Sequence, residues 1–219
     1  VPREQPGELF VGLNDRDPSY HDVYRVDIAT GERELIQENT EEVGSWHFDL
    51  EGALRLATRE MDDGSTEILR IDHEGMEQIY TCTVEESCAP IRFHPDGERV
   101  YLRTNAGDDV DRARLTLMDV ATGAEEVLES DPEGEVDLAG AIFSNANDEL
   151  LATVYQGDRQ RIYPQSESFA RDLEHLRNEL PDGELGISSR TYDESQWTVS
   201  LSRDVDPGTT YRYDREQGT

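Results

Sequence analysis

The chain contains residues able to perform nucleophilic chemistry, but their spacing does not fit it. An α/β-type hydrolase presents its serine in a Gly-x-Ser-x-Gly turn. The nearest approach in this sequence, Gly186-Ile187-Ser188-Ser189-Arg190, lacks the final glycine. No His-x-x-x-His pair occurs among the five histidines, which are His21, His47, His73, His94 and His175. We therefore predict no catalytic residue here, and we expect structural or surface roles for the histidines.

The sequence also contains no clear pattern for binding a metal or a cofactor. The acidic run Gly107–Asp111 lacks the ligand pattern of a calcium-binding loop, so we expect a solvated loop between strands. Cys82 and Cys88 have no nearby second pair, which argues against a zinc site. We expect two free thiols, with a local disulfide across a loop as the alternative. The sequence predicts no metal site and no bound cofactor.

The charge composition is extreme. The 219 residues include 50 Asp and Glu against 20 basic residues, all of them arginine, for a formal net charge of −30. At about 1 M salt the Debye length is roughly 3 Å, so neighbouring carboxylates barely repel one another. This composition favours a protein adapted to molar salt; a disordered acidic region and a cation-binding surface are the alternatives. Disorder conflicts with the regular alternation of apolar residues, and nucleic acid is an unfavourable partner for such a surface.

Targeting features are few. No apolar stretch approaches the roughly 18 residues that a membrane-spanning helix needs, so we expect no membrane association. The chain opens Val1-Pro2-Arg3-Glu4, without an initiator methionine and without a basic and apolar leader. We take the terminus to be trimmed and expect a cytoplasmic location.

A repeat organises the sequence. An apolar alternating run, an aspartate and a glycine three or four residues later recur, with the aspartate at Asp27, Asp72, Asp119 and Asp214. These positions are separated by 45, 47 and 95 residues. Glycine supplies the positive φ of the turn, and the aspartate can bond the turn backbone. A period in the mid-forties is typical of the four-stranded blades of a β-propeller.

A second unit interleaves with the first. It consists of a strand, a polar turn and a new strand, and is clearest in Ile91–Tyr101 with its central Pro95-Asp96-Gly97. Looser copies cover residues 46–54, 142–150 and 188–197. We interpret this unit as the inner hairpin of each blade and the Asp–Gly turn as the outer one.

Together the two units predict an all-β fold, a segment of a β-propeller with about five blade-equivalents of antiparallel strands. The expected blades cover residues 1–40, 41–84, 85–131, 132–182 and 183–219, the first and last being incomplete. The first should contain strands at 8–13, 23–28 and 34–37. Phe169, Leu173, Leu176 and Leu180 have helical spacing, so a helix near 166–180 should replace the last strand of the fourth blade. We favour a segment of a seven- or eight-bladed parent over closure as five blades.

The stretch Trp197–Arg215 is more specific than the turns. Its Ser-Arg-Asp-Val-Asp-Pro-Gly run, residues 202–208, followed by Tyr211-Arg212-Tyr213-Asp214, resembles the late propeller of prolyl oligopeptidase family serine peptidases of the acylaminoacyl-peptidase and dipeptidyl aminopeptidase type. The resemblance implies that residues 202–208 form a loop. The resemblance implies a catalytic α/β-hydrolase domain in the same parent chain, absent from this sequence. It implies a peptide substrate for the parent, and a propeller that is itself non-catalytic and caps and gates the active site.

Two points stay open at this stage. The turn motifs also resemble those of the propeller called TolB, so a non-enzymatic protein-interaction platform is the alternative function. In the 202–208 run, Asp204 and Asp206 either structure the turn through local backbone bonds or contact the catalytic domain or the substrate.

Overall fold

Seventeen β-strands and one α-helix make up the part of the chain that the computed structural model describes, residues 7–219. The strands form five antiparallel sheets, each built from strands consecutive in sequence. The all-β prediction is therefore confirmed. The residues divide into two compact units, one ending at Ser130 and one running from Asp131 to Thr219. The opening residues 1–6, from which we predicted a trimmed terminus, lie outside the described part.

The first unit contains three sheets, A, B and C. Sheet A consists of β1 (Glu8–Asp17), β2 (Tyr20–Asp27) and β3 (Arg33–Gln37). Sheet B consists of β4 (Ser45–Phe48), β5 (Leu54–Glu60), β6 (Thr66–Asp72) and β7 (Gly75–Cys82). Sheet C consists of β8 (Cys88–Phe93), β9 (Arg99–Thr104), β10 (Arg114–Asp119) and β11 (Glu125–Glu129). The predicted strands of the first blade are confirmed, as are two complete four-stranded sheets after them.

The second unit contains two sheets and the helix. Sheet D consists of β12 (Leu138–Phe143), β13 (Leu150–Gln156) and β14 (Gln160–Pro164). The helix α1 (Glu167–Glu179) follows it. Sheet E consists of β15 (Glu184–Arg190), β16 (Gln196–Arg203) and β17 (Asp206–Asp214). A helix thus stands where sheets B and C have their fourth strand, as the change of period predicts. Whether all five sheets are blades of one propeller stays a prediction.

The helix begins and ends where its sequence indicates. The Ser166 hydroxyl caps its first turn by accepting the Phe169 N–H at 3.2 Å, and Leu180 closes its last turn. Phe169, Leu173 and Leu176 all face inward, because their spacing places them on one side.

The repeated Asp–Gly turns explain the hairpins. In the turn after β2, one carboxylate oxygen of Asp27 accepts hydrogen bonds from the backbone of Ala29 and from the backbone and hydroxyl of Thr30. Asp119 makes the same contacts with Thr122 after β10. The glycine that follows, Gly123, has φ +72°, and a Cβ there would lie 1.9 Å from a backbone oxygen. Glycine is therefore required by both conformation and space.

Each unit has its own core. In the first, apolar residues of sheets B and C form one buried cluster that includes Leu56, Ile68, Phe93, Leu102 and Met118. In the second, the three inward-facing residues of α1 pack with residues of sheets D and E, among them Leu151, Ile162, Trp197, Val199 and Tyr213. Among the described residues, no helix is long and apolar enough to cross a membrane.

The expectation of two free thiols is wrong. Cys82 and Cys88 are joined as a disulfide, with their Cα atoms 6.1 Å apart. That separation lies in the range a disulfide spans. The pairing arises because β7 ends at Cys82 and β8 begins at Cys88, so the short connection between sheets B and C brings the two side chains together.

Candidate functional site

The two aspartates singled out from the sequence lie in the hairpin between β16 and β17. We expected residues 202–208 to form a loop, but the turn is only Asp204–Val205, and Arg203 pairs directly with Asp206. The strand can restart so early because the register shifts between Leu201 and Arg203, and Gly208 adopts φ +82° beside the shift.

Asp206 structures this hairpin locally. Its Oδ1 accepts the Gly208 N–H at 2.8 Å, and its Oδ2 is paired with the Arg203 guanidinium. The hydrogen bond from Gly208, helped by Arg203, holds the pKa of Asp206 below its ordinary value. These are the local bonds that one of the two sequence hypotheses requires for Asp206.

Asp204 instead lines an open cavity of about 620 Å³, the candidate functional site. Three chain segments border it: the β13–β14 turn, residues 182–184 between α1 and β15, and the end of the β16–β17 hairpin. They meet because each lies at the same end of its antiparallel sheet. Val205, at the tip of the hairpin, is 78% exposed. The cavity thus combines an exposed apolar tip with a polar floor.

The cavity lining is rich in charged side chains. It contains carboxylates and two arginines, and one of these, Arg159, lies 3.7 Å from the Asp182 carboxylate. Glu184 accepts the Gln160 N–H at 2.9 Å, which fixes the floor. Ser202 is present in the lining, and no histidine is among the lining residues.

The near match to a nucleophile turn, residues 186–190, is part of a strand. The Ser188 hydroxyl donates to the Thr198 carbonyl oxygen at 3.3 Å, and the Ser189 hydroxyl donates to the Thr198 hydroxyl at 3.0 Å. Both serines therefore serve cross-strand contacts of β15 and β16. The strained strand-to-helix turn that a hydrolase nucleophile needs is absent at this position.

The histidines have individual surroundings. Burial lowers the pKa of His47 to about 4, and its Nε2 lies 3.5 Å from the Thr58 hydroxyl. Nδ1 of His94 lies 3.0 Å from the Asp96 carboxylate. Nε2 of His175 lies 3.0 Å from the Gly218 carbonyl oxygen. His21 lies in β2, and His73 is exposed in the turn between β6 and β7.

The acidic run Gly107–Asp111 lies between β9 and β10. The Gly107 N–H donates to Glu86 at 3.0 Å, and Asp111 lies 3.4 Å from Arg112. Across residues 7–219, no group of three or more His, Cys, Asp or Glu side chains is arranged to hold a metal ion.

Sequence reasoning missed a charged network on the second unit. Asp172 of α1 accepts the Tyr213 hydroxyl at 2.9 Å and pairs with Arg215 at 2.6 Å. Arg215 lies over the Trp197 ring, 4.7 Å from its centroid. Burial, with the neighbouring Asp172, raises the pKa of Tyr213 to about 12. The network anchors α1 to sheet E, and no sequence pattern pairs residues so far apart.

Comparisons with known proteins agree with the fold. No known family's sequence model matches the chain. It is 30% identical over 222 residues to dipeptidyl aminopeptidase BIII of Pseudoxanthomonas mexicana, covering 100% of this chain and 32% of that protein. It is 25% identical over 229 residues to dipeptidyl peptidase family member 6 of Caenorhabditis elegans, covering 94% and 29%. The chain thus spans about a third of the length of these relatives.

Solved structures show the same architecture. TolB from Acinetobacter baumannii matches 97% of this chain and 50% of its own, with a TM-score of 0.55 and 14% identity. A structure from a study of two prolyl endopeptidases matches 97% and 32%, with a TM-score of 0.57 and 15% identity. An oligogalacturonate lyase matches 97% and 60%, with a TM-score of 0.60 and 17% identity. At such identities these structures establish the fold alone.

The five antiparallel sheets, each of three or four strands consecutive in sequence, are of the type that builds propellers. The predicted relationship to the propeller region of prolyl oligopeptidase family peptidases is confirmed by the two sequence relatives.

Proposed function

We propose that this chain is the non-catalytic propeller segment of a serine peptidase, in which it caps the active site and controls which peptides reach it. The observation that carries the proposal is the alignment with dipeptidyl aminopeptidase BIII, which uses the whole of this chain but only 32% of the relative. The catalytic α/β-hydrolase domain would then lie elsewhere in the parent chain.

The hairpin tip is the surface we assign to contact with the catalytic domain or its substrate. Val205 is the most exposed of the large hydrophobic side chains in the second unit, and Asp204 lies beside it in the turn. An apolar side chain held out on a two-residue turn gains from burial against a partner. Asp206 supports the tip by fixing the turn through Gly208.

The partners follow from this proposal. The first is the α/β-hydrolase domain of the same polypeptide, and the second is the peptide substrate of the whole enzyme. A surface with a net charge of −30 opposes nucleic acid binding, because phosphates carry the same sign of charge. A cytoplasmic location stays a prediction.

The first test is the parent gene and its product. We expect a Gly-x-Ser-x-Gly turn downstream of Thr219 and hydrolysis of peptide substrates by the full-length protein, while the present chain alone shows no turnover above buffer. A gene that stops at Thr219 would contradict the peptidase proposal. A parent with no hydrolase domain but with a captured protein partner would favour the TolB-like interaction platform.

The second test probes the hairpin in the full-length enzyme. Val205→Ser should lower kcat/KM for peptides about fivefold, the loss expected for an interface contact worth about 1 kcal/mol. Tyr192→Ser is the matched control, since Tyr192 is also an exposed large side chain, 67% accessible, but lies in the turn at the opposite end of β16. Equal kcat/KM values for the two variants would remove the hairpin from the proposal.

A further inference from the structure

The connection between sheets B and C is closed by a covalent bond. The disulfide joins the last residue of β7 to the first residue of β8, across the five residues 83–87. Both cysteines belong to the buried cluster shared by the two sheets, with Cys82 0% and Cys88 7% exposed. Each sulfur is therefore shielded from solvent, although Val84 in the connecting segment is 68% exposed.

Similar connections in this chain are held without cysteine. Before β4, the Asn39 side chain accepts the Val43 N–H at 2.9 Å and donates to the Val43 carbonyl oxygen at 2.8 Å. Before β12, the Asp131 carboxylate accepts the N–H groups of Glu135 and Val136 at 2.8 and 3.0 Å. One buried polar side chain is enough to hold such a segment, so a disulfide is not required by the geometry.

Residues 83–87 are also held by hydrogen bonds to one polar side chain, and we call these bonds the Glu86 clasp. The Glu86 carboxylate accepts the Thr83 N–H at 2.8 Å, the Thr83 hydroxyl at 3.0 Å and the Gly107 N–H at 3.0 Å. These bonds lower the pKa of Glu86. Ser87 and Asn105 exchange further hydrogen bonds beside it, with the Ser87 N–H bound to Asn105 Oδ1 at 2.6 Å. Both the disulfide and the Glu86 clasp therefore hold this segment, and only the disulfide depends on redox state.

We propose that the Cys82–Cys88 bond is a redox-dependent lock on the connection between sheets B and C, which a dithiol reductant can open only after the Glu86 clasp releases residues 83–87. With the clasp closed, the buried sulfurs are out of reach of a reductant. With the clasp open, the exposed segment moves aside and the bond becomes accessible.

The opening step is a thiol–disulfide exchange. A thiolate of the reductant attacks one sulfur, the bond between the two cysteine sulfurs breaks, and the departing cysteine thiolate takes a proton from solvent. The second thiolate of the reductant then attacks the mixed disulfide and releases the other cysteine, which is also protonated. Two electrons pass to the protein, and the reductant leaves as a disulfide.

The first experiment needs no variant. The protein is denatured, alkylated with iodoacetamide and weighed by intact-mass spectrometry, with and without prior treatment with dithiothreitol. We expect no adduct without the reductant and two adducts with it. Two adducts on the untreated protein would show free thiols and overturn the proposal.

The second experiment measures how fast dithiothreitol opens the bond in the folded protein at molar salt. Glu86→Gln should speed the reduction about tenfold or more, because it removes a charged acceptor of three hydrogen bonds. Glu133→Gln is the matched control, since Glu133 is a carboxylate in the segment held by Asp131. Equal reduction rates for Glu86→Gln and wild type would contradict the clasp.

A third measurement tests whether the disulfide stabilises the folded protein. Reduction should lower the Tm of the wild type by roughly 5–9 °C, from the loop-closure entropy of so short a ring. A Cys82→Ala/Cys88→Ala double variant should show no Tm shift with the reductant. An unchanged wild-type Tm on reduction would overturn the lock.

Discussion

Sheets C and D begin alike and end differently. Their first strands, β8 and β12, bury their first and last residues in the same pattern, and their second strands both bury a continuous run in the middle. The fourth position of sheet C is the short strand β11, four of whose five residues are exposed. After sheet D the chain forms α1 instead, with Phe169 and Leu173 each 1% exposed.

The difference shows that the inner strands carry the repeat, while the outer position can be filled in more than one way. A strand at the edge pairs its backbone with one neighbour and leaves Val127 and Leu128 47% and 41% exposed. A helix instead turns a row of apolar side chains toward sheets D and E together. The element that follows the third strand therefore adds few buried apolar side chains to the core after sheet C, and many to the core after sheet D.

Salt concentration should change the stability of this protein more than any single substitution. We expect the chain to unfold in dilute buffer and to fold in roughly molar KCl, because its charge of −30 is screened only at high ionic strength. Circular dichroism across a salt titration measures it. At intermediate salt, the backbone amide hydrogens of β11 should exchange with solvent before those of α1. Strand β11 has Glu125, Glu126 and Glu129 among its five residues. A Tm independent of salt would contradict the halophilic hypothesis.

Two leucine substitutions test how much α1 and β11 each contribute to stability. Leu173→Ala in α1 should cost about 2–5 kcal/mol of the free energy of unfolding, since it opens a cavity in the core of the second unit. Leu128→Ala on β11 is the matched change at an exposed position and should cost less than about 0.5 kcal/mol. Urea unfolding at molar salt measures both. Equal losses would show that β11 packs as firmly as the helix.

A smaller effect is the pH dependence of stability that comes from two tyrosines, one bonded to α1 and one to β11. Tyr213 donates to Asp172 of α1, and Tyr80 donates to Glu125 of β11 at 3.1 Å. With the pKa of Tyr213 raised from 10.0 to about 12, the unfolded chain loses this proton first as the pH rises. The stability gained from the protonated tyrosine is thus complete below pH 10 and falls by about 2–3 kcal/mol towards pH 12.

The measurement is the difference in unfolding free energy between wild type and Tyr213→Phe from pH 9 to 12. The wild-type advantage should shrink across pH 10–12. Tyr80→Phe should show a change of the same sign but smaller, because Tyr80 is only partly buried and burial is the main cause of its raised pKa. A pH-independent difference for Tyr213 would rule out the shift.

Much of the fold was predictable because its determinants are local. An aspartate and a glycine three or four residues apart encode each outer turn through bonds within that turn, as Asp27 and Gly31 show. The spacing of Phe169, Leu173 and Leu176 encodes a helix face whatever lies opposite. Hydrophobic period and turn chemistry act over a few residues, so they can be recognised in the sequence alone.

The candidate site depends on distant residues and was only partly predictable. Asp204 was singled out, but Arg159 and Glu184 were not, because three segments that lie 18 or more positions apart in the sequence meet only once the sheets are formed. The family resemblance implied a loop at residues 202–208, which contain Pro207 and Gly208. A shift in strand register absorbs that pair and leaves a two-residue turn.

The repeat, the all-β class, the position of the helix and the lack of a nucleophile turn can be read from the amino-acid order. The bond between Cys82 and Cys88, the contact between Asp172 and Tyr213, and the place of Asp204 beside a cavity are known only from the folded chain. The two groups of features differ in the range of the interactions that produce them. Turns and helix faces are set by neighbouring residues, whereas these contacts depend on where whole strands and the helix pack.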